Sequence, residues 1–159
     1  MSRKKIVVVG VGNILMGDEG IGVRVVKELE KEKYSEEIKF LDAGTAFFSI
    51  VSELRDFEKA IIIDAVHGGK KAGTIYRFNI DDIAGKDNSI ISLHDFGVME
   101  SIQLERVIAK LPDEIIFYGV EPQNVTPSLE LSSVVQGKLK YVVQKIFEEL
   151  RISGIRVIR

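Results

Sequence analysis

Short runs of β-branched residues alternate along the chain with longer segments in which apolar residues recur every three or four positions. The short runs include one at 6–10 that is apolar on successive residues, as is typical of a strand that is covered on both faces of a sheet. They predict strands at 6–10, 38–44, 59–66 and 114–122. The longer segments have the amphipathic period of helices. They predict helices at 20–32, 47–54, 97–111 and 128–153.

Two further segments complete the predicted elements. Residues 73–80 alternate apolar and polar positions, which indicates a half-exposed or edge strand. Residues 155–159 are predicted to form a short terminal strand. Gly137 lies inside the last predicted helix, where glycine costs on the order of 1 kcal/mol against alanine. We therefore expect this glycine to allow close packing against a neighbouring element.

The alternation of strands and helices determines the predicted fold class. A β-α-β-α-β order favours a mostly parallel sheet between two helical layers. We therefore predict an α/β fold in the form of a three-layer sandwich. The chain has 159 residues and contains no linker, repeat or low-complexity tract. We expect residues 1–159 to form one domain.

Composition and charge narrow the classes of function. The net charge is -2 and there is no basic block, which argues against nucleic-acid binding. Cysteine is absent, which excludes disulfides, thiolate chemistry and a cysteine-ligated zinc. No apolar segment has signal-peptide anatomy or transmembrane length, so we expect a cytoplasmic protein that does not contact a membrane. The modest charge and the lack of an obvious exposed apolar seam favour a monomer.

The segment GVGNILMGDEGIG, residues 10–22, begins like a nucleotide-binding turn. The dinucleotide fingerprint needs Gly or Ala where this chain has Leu15, and no Walker lysine follows. Asp18 and Glu19 would also repel a phosphate at the start of the helix. Another role for these acids is to stabilise the first helical turn, by about 0.3–1 kcal/mol each. We favour this capping role for Asp18 and less so for Glu19.

Glu19 becomes a candidate site residue when two residues elsewhere in the chain are considered with it. Asp64 lies at the carboxyl end of a buried strand, and ligand sites in open α/β sheets lie beyond such strand ends. The alternative role for Asp64 is a hydrogen bond that caps a loop. His94 precedes a predicted helix and alone would be an ordinary loop histidine. Together the three side chains can converge at one sheet edge and offer a metal site with open coordination positions. His67 is the second choice, since we expect it in an exposed loop.

Five motifs then indicate a family. The chain contains GVGNILMGDEGIGVRVV, DAGT, IIIDAV, SLHDFG and GVEP in that order. It resembles the nickel-iron hydrogenase maturation proteases, endopeptidases that trim the C-terminal tail of the hydrogenase large subunit. The resemblance runs over essentially the whole chain, and the opening Gly-x-Gly-Asn-x-Leu-x-x-Asp-Asp/Glu-x-x-Gly is its most specific part. It implies a twisted, mostly parallel sheet with helices on both faces.

The resemblance also implies the site residues. Glu19, Asp64 and His94 fall on the family's three metal-contacting positions, and we expect them to be the catalytic residues as well. Gly44 and Thr45 match a Gly-Thr pair near the same cleft and are expected to contact the substrate. His67 matches no ligand of the family. The expected partner is a large-subunit precursor that already carries nickel, and whether the protease holds a metal of its own stays open.

Two routes to hydrolysis and one other class of function stay open at this point. Asp64 or Glu19 could act as general base, or a metal could lower the pKa of the attacking water. No aspartic-protease signature surrounds these acids, and we find no credible Ser-His-Asp triad. The rival is a non-catalytic nickel- or small-ligand-binding module in which Asp42 contacts a ribose. Asp42 lies 30 residues beyond Gly12, against the usual interval of about 20.

Overall fold

The computed structural model describes residues 6–83, 92–93 and 98–159. Its strands are β1 (Ile6–Val11), β2 (Lys33–Tyr34), β3 (Ile38–Gly44), β4 (Lys59–His67), β5 (Ile75–Asn79), β6 (Ser92–Leu93), β7 (Glu114–Val120) and β8 (Val157–Ile158). Its α-helices are α1 (Ile21–Glu30), α2 (Phe47–Ile50), α3 (Ile80–Ile83), α4 (Val98–Ile108), α5 (Ser133–Gln136) and α6 (Leu139–Ile152). Two 3-10 turns lie at Gly17–Gly20 and Val51–Asp56.

The central sheet is mostly parallel. Its strand order is β3-β1-β4-β7-β5, in which the first four strands are parallel and β5 is antiparallel at one outer edge. β6 pairs with the end of β4, and β2 pairs with β8 in a small second sheet. Because parallel strands end on the same side, the residues that follow β1, β3, β4 and β7 share one edge of the sheet, called here the carboxyl edge. The predicted fold class is confirmed, and the predicted edge strand is β5.

Alternate residues of the buried strands face two helical layers. Ile61 and Ile63 of β4 pack in a core with α1 and α6, whereas Ala60 and Ile62 pack in a second core with α2 and α4. The central strands β1, β4 and β7 are therefore apolar on both faces. Burial on two sides is the physical reason for the continuous apolar runs that the sequence shows.

The last predicted helix is in fact two helices that begin later than expected. α5 and α6 are separated at 137–138, and Gly137 is exposed, so the expected close packing at this glycine is wrong. Residues 128–132 are not helical because they belong to a segment that other parts of the chain hold in place. Ser132 ends this segment, and its Oγ accepts a hydrogen bond from Val135 N at the start of α5.

Asp18 is fully buried, and its carboxylate joins the turn before α1 to the 122–132 segment. Its Oδ2 accepts hydrogen bonds from Gln123 N and Asn124 N, both at 2.9 Å, and from Ser132 Oγ at 2.8 Å. Its Oδ1 accepts from Ser132 N at 2.8 Å. Burial alone raises the pKa of Asp18, but the hydrogen bonds outweigh it and hold the pKa below its ordinary value. The predicted capping role is wrong, because Asp18 is a clamp between two remote segments.

Main-chain hydrogen bonds extend this connection. Gly17 N donates to Ser128 O at 3.0 Å, and Asp18 N donates to Asn124 O at 2.9 Å. The 122–132 segment is thus fixed to the turn before α1 along much of its length. That turn contains Glu19, so the clamp also determines where this acid lies.

A second buried acid organises the opposite edge of the sheet, where β4 begins. Lys59 Nζ lies 3.0 Å from Glu149 Oε2 and 2.8 Å from Glu114 Oε1. Glu149 Oε1 accepts hydrogen bonds from Arg77 Nε at 2.7 Å and from the Tyr118 hydroxyl at 2.8 Å. Burial raises the pKa of Glu149, but these donors outweigh it and lower the pKa to about 2. The network ties α6 to three neighbouring strands.

The outer face of α4 carries an exposed apolar seam. Leu104, Val107 and Ile108 are 61%, 80% and 71% exposed, so the expected lack of such a seam is wrong. The monomeric state, which rests partly on the expected lack of such a seam, stays a prediction. In the part of the chain that the structure describes, no helix has the length and apolar character needed to cross a membrane.

The Asp18 clamp predicts a specific loss of stability. We expect Asp18→Ala to lower the free energy of unfolding by about 2–4 kcal/mol, because three main-chain N–H groups of the 122–132 segment lose a charged acceptor. Urea unfolding measures the loss. Glu130→Ala removes an exposed carboxylate from the same segment and is the control, with an expected change of at most about 0.5 kcal/mol. Equal stability of the two variants would contradict the clamp.

The Glu149 network predicts how stability depends on pH. The pKa of Glu149 is lowered from 4.5 in its ordinary state to about 2 in the folded chain. Its contribution, on the order of 3 kcal/mol, is therefore complete above about pH 4.5 and is lost as the pH falls towards 2. Glu149→Gln should be destabilised at pH 7, and its difference from wild type should shrink below pH 4.5. The control is Glu148→Gln, at the exposed neighbouring position. In chemical unfolding its free energy of unfolding should equal that of wild type at every pH.

Candidate active site

Gly12 marks the point where the chain leaves β1 and where two predicted site residues meet. Its φ of +134° lies in the region that favours glycine. A Cβ at this position would lie 1.8 Å from the main-chain oxygen of Glu19 and 3.6 Å from Asp64 Oδ1. The two atoms therefore border the same small space at the carboxyl edge. This space exists only because residue 12 has no side chain.

Asp64 supplies a nearly buried carboxylate to this space. It is 2% exposed and lies in β4 opposite Gly119 of β7. Its Oδ1 accepts a hydrogen bond from Ala65 N at 2.7 Å. Its side chain is on the face of β4 that also carries Ile62 and Val66, the face covered by α2 and α4. Burying a carboxylate is costly unless donors or a cation compensate it, which makes Asp64 a candidate ligand or base.

Glu19 reaches the same edge from the other side. It is half-buried, and its main-chain N donates to Met16 O at 3.3 Å within the 3-10 turn. The preceding residue is the clamp residue Asp18. The close approach of Glu19 to Gly12 and the clamp at Asp18 together fix the main chain from which the Glu19 side chain extends.

Gly44 ends β3 and Thr45 follows it, at the same edge of the sheet. Gly44 O accepts a hydrogen bond from Gly12 N at 2.8 Å, so the predicted substrate-contacting pair lies directly beside the glycine turn. Gly44 has a φ of +51°, and its N donates to Asp42 Oδ1 at 2.9 Å. Asp42 thus stabilises its own turn, which is a local role that needs no ribose. Thr45 is exposed and accessible to a ligand.

The two histidines differ in what the structure says of them. His94 lies outside the described residues. His67 is the half-buried last residue of β4 and pairs with Ser92, so its expected place in an exposed loop is wrong. Residues three apart in a strand point to opposite faces. Asp64 and His67 therefore do not form a compact two-ligand unit on β4.

Glu121, directly after β7, is an edge residue to which the sequence analysis gave no role. It is 6% exposed, and its Oε1 accepts hydrogen bonds from Gly68 N at 2.9 Å, Lys70 N at 3.1 Å and the Tyr76 hydroxyl at 2.6 Å. Burial and this carboxylate raise the pKa of Tyr76 to about 12. Glu121 thus holds the loop that follows β4. The signal was present in the sequence, because an acid ends an apolar strand here as it does at Asp64.

Within residues 6–83, 92–93 and 98–159, no three His, Asp or Glu side chains are grouped as a metal site. Two members of the predicted set, Glu19 and Asp64, are among these residues, and the third is not. The described part of the site therefore offers two acids, one from each side of Gly12. Oxygen ligands of this kind suit a hard or borderline cation.

Comparison with known proteins shows the family of this chain. The family model described as "Hydrogenase maturation protease" (HycI) matches residues 23–149. The Hydrogenase 2 maturation protease of Escherichia coli K12 is 30% identical over 156 residues, which cover 97% of this chain and 95% of that protein. The hydrogenase expression/formation protein HupD of Rhodobacter capsulatus is 29% identical, over 97% of this chain and 75% of its own length.

Solved structures support the same assignment. The hydrogenase maturating endopeptidase HybD from E. coli superposes with a TM-score of 0.86 at 28% identity, covering 97% of this chain and 96% of that chain. The [NiFe] hydrogenase maturation protease HybD from Thermococcus kodakarensis gives a TM-score of 0.75 at 26% identity, with 92% and 98% covered. Both the sequence and the fold therefore lead to one family. The chain belongs to the hydrogenase maturation protease family and is a peptidase, a hydrolase of peptide bonds.

Proposed function

We propose that this chain removes the C-terminal tail of a nickel-iron hydrogenase large-subunit precursor after nickel has been inserted, and that it recognises the bound nickel. The observation that carries the proposal is the meeting of Glu19 and Asp64 at Gly12, in a chain of the maturation protease family. We assign nickel contact to Glu19, Asp64 and His94, and substrate contact to Gly44 and Thr45. A cytoplasmic location is part of the proposal.

The described residues around His94 support its place in the site. β6 ends at Leu93, directly before His94, and Leu93 pairs with Val66, two residues beyond Asp64. α4 begins at Val98 and packs on the face of β4 that carries Asp64. Leu93 and Val98, the described residues that flank His94, therefore both lie against the part of β4 that carries Asp64. An imidazole at this position would add a nitrogen ligand to the two carboxylates, which suits nickel.

The proposed set explains how cleavage can depend on nickel. In the proposal nickel belongs to the precursor, and contact with Glu19, Asp64 and His94 docks the precursor with its tail bond at the carboxyl edge. A precursor without nickel lacks this contact and is not held there. Holding the bond and the catalytic groups in one geometry is itself a large part of the rate enhancement.

Hydrolysis also requires an activated water, and the chain offers a base for it. Asp64 is nearly buried and belongs to a rigid central strand, so it is better placed than Glu19 to hold a water in a fixed orientation. The nickel of the precursor could instead lower the pKa of the water and polarise the scissile carbonyl. In both routes the carboxylate of Asp64 is required.

The proposed nickel dependence is tested with one precursor in two states. We expect the wild-type chain to remove a short C-terminal peptide from the nickel-loaded large subunit and to leave the nickel-free form intact. Intact-mass spectrometry of the large subunit measures both reactions. Equal cleavage of the two forms would contradict nickel recognition. Two intact precursors from the cognate hydrogenase, together with tight nickel binding by the chain alone, would favour the rival non-catalytic binding module.

The proposed role of Asp64 predicts a loss of activity without a loss of fold. Asp64→Asn keeps the shape of the side chain and an oxygen for Ala65 N, but it removes the charge. We expect kcat for the loaded precursor to fall by at least about a hundredfold, with little change in melting temperature. His67→Gln is the matched variant, and we expect it to retain activity within about twofold because this side chain is outside the proposed set. Full processing by Asp64→Asn would exclude both the base and the metal-contact roles.

A further inference from the structure

Three large aliphatic side chains are exposed beside the candidate site. Ile14, Leu15 and Leu129 are 37%, 58% and 67% exposed. They are called here the apolar lip. Exposed single aliphatic residues are common, but these three come from two segments that the structure joins.

Main-chain contacts hold together the two segments that carry the apolar lip. Ser128 N donates to Leu15 O at 2.9 Å, and Met16 pairs with Ser128 in a parallel bridge. Leu15 directly precedes one residue of this pair and Leu129 directly follows the other. The guanidinium of Arg24 donates to Leu129 O. The segments that carry Leu15 and Leu129 are therefore joined directly beside these two exposed residues.

The lip borders the space at Gly12. Ile14 lies against Gly20, because a Cβ at Gly20 would be 2.8 Å from Ile14 Cα and 3.3 Å from Ile14 Cγ2. Gly20 directly follows Glu19. An extended peptide advances about 3.3–3.6 Å per residue. A polypeptide with its scissile bond beside Glu19 therefore reaches the lip within a few residues.

We infer that the apolar lip is a docking surface for the precursor polypeptide and receives apolar side chains that lie within a few residues of the cleaved bond. This inference rests on the proposed function. The occupant is the precursor because the lip is continuous with the site at which that chain is cut. A second copy of this protein is not the occupant, since a stable interface uses about 20–30 residues and about 800 Å² on each side.

Surface variants test the inference against a matched control. Leu15→Ser with Leu129→Ser should raise KM for the loaded precursor by about tenfold or more, while kcat and melting temperature stay near wild type. Leu104→Ser with Val107→Ser removes equally exposed aliphatic side chains from the distant α4 seam and should leave KM unchanged. An unchanged KM in the lip variant, or an equal rise in both variants, would overturn the inference.

A binding measurement separates this inference from the proposed function. The chain has no cysteine, so Leu129→Cys and Leu104→Cys each give a single labelling site for an environment-sensitive fluorophore. Loaded precursor should shift the emission of the label at position 129 and leave the label at position 104 unchanged. Cleavage by wild type with no shift at position 129 overturns the docking surface. A shift without cleavage by wild type supports docking and contradicts the proteolytic function.

Discussion

The parallel alignment of β1, β3, β4 and β7 is the constraint on which the site depends. Their common direction brings the residues after each strand to one edge, although these residues are far apart in the chain. Gly12, Gly44 and Asp64 meet there because β1 lies between β3 and β4. The missing side chain of Gly12 then lets the main chain of Glu19 approach Asp64. The glycine turn therefore allows a close approach between the main chain at Glu19 and the carboxylate of Asp64.

Buried carboxylates have distinct roles in this chain, and their partners distinguish them. Asp18 and Glu121 accept several hydrogen bonds from main-chain groups of remote loops, and each fixes one loop at the carboxyl edge. Glu149 is neutralised by Lys59 and Arg77 at the other end of the sheet. Asp64 instead lies beside Gly12, where the main-chain oxygen of Glu19 also approaches. Asp18 and Glu121 thus hold the loops at the edge of the sheet where Asp64 lies.

The arrangement of a sheet between two helical layers was predictable, because strands that are buried on both faces have apolar residues at successive positions. Continuous apolar runs correspond to the parallel strands, and the alternating run at 73–80 corresponds to the antiparallel edge strand β5. The short elements β2 and β6 were missed, because two-residue strands depend on a partner and not on a local pattern. Local patterns also gave the wrong start for the last helix, where Asp18 holds residues that would otherwise suit a helical turn.

The candidate site was predictable in part for the same reason. Acids near the ends of apolar runs are visible in the sequence, which is why Asp64 was singled out and Glu121 could have been. The role of Asp18 was not visible, because its partners lie more than 100 positions away and a first-turn acid has an obvious local explanation. Whether His67 belongs to β4 or to the following loop depends on where β4 ends. The run of apolar residues did not determine that end.

The central claim is that the carboxyl edge binds the nickel of the substrate through Glu19, Asp64 and His94. Crystals of the protein exposed to Ni²⁺, with anomalous diffraction collected at the nickel edge, test this claim most directly. The account predicts one strong peak bounded by the carboxylates of Glu19 and Asp64 and by the imidazole of His94. A peak at His67, or at a site remote from Gly12 with none between Glu19 and Asp64, would contradict it.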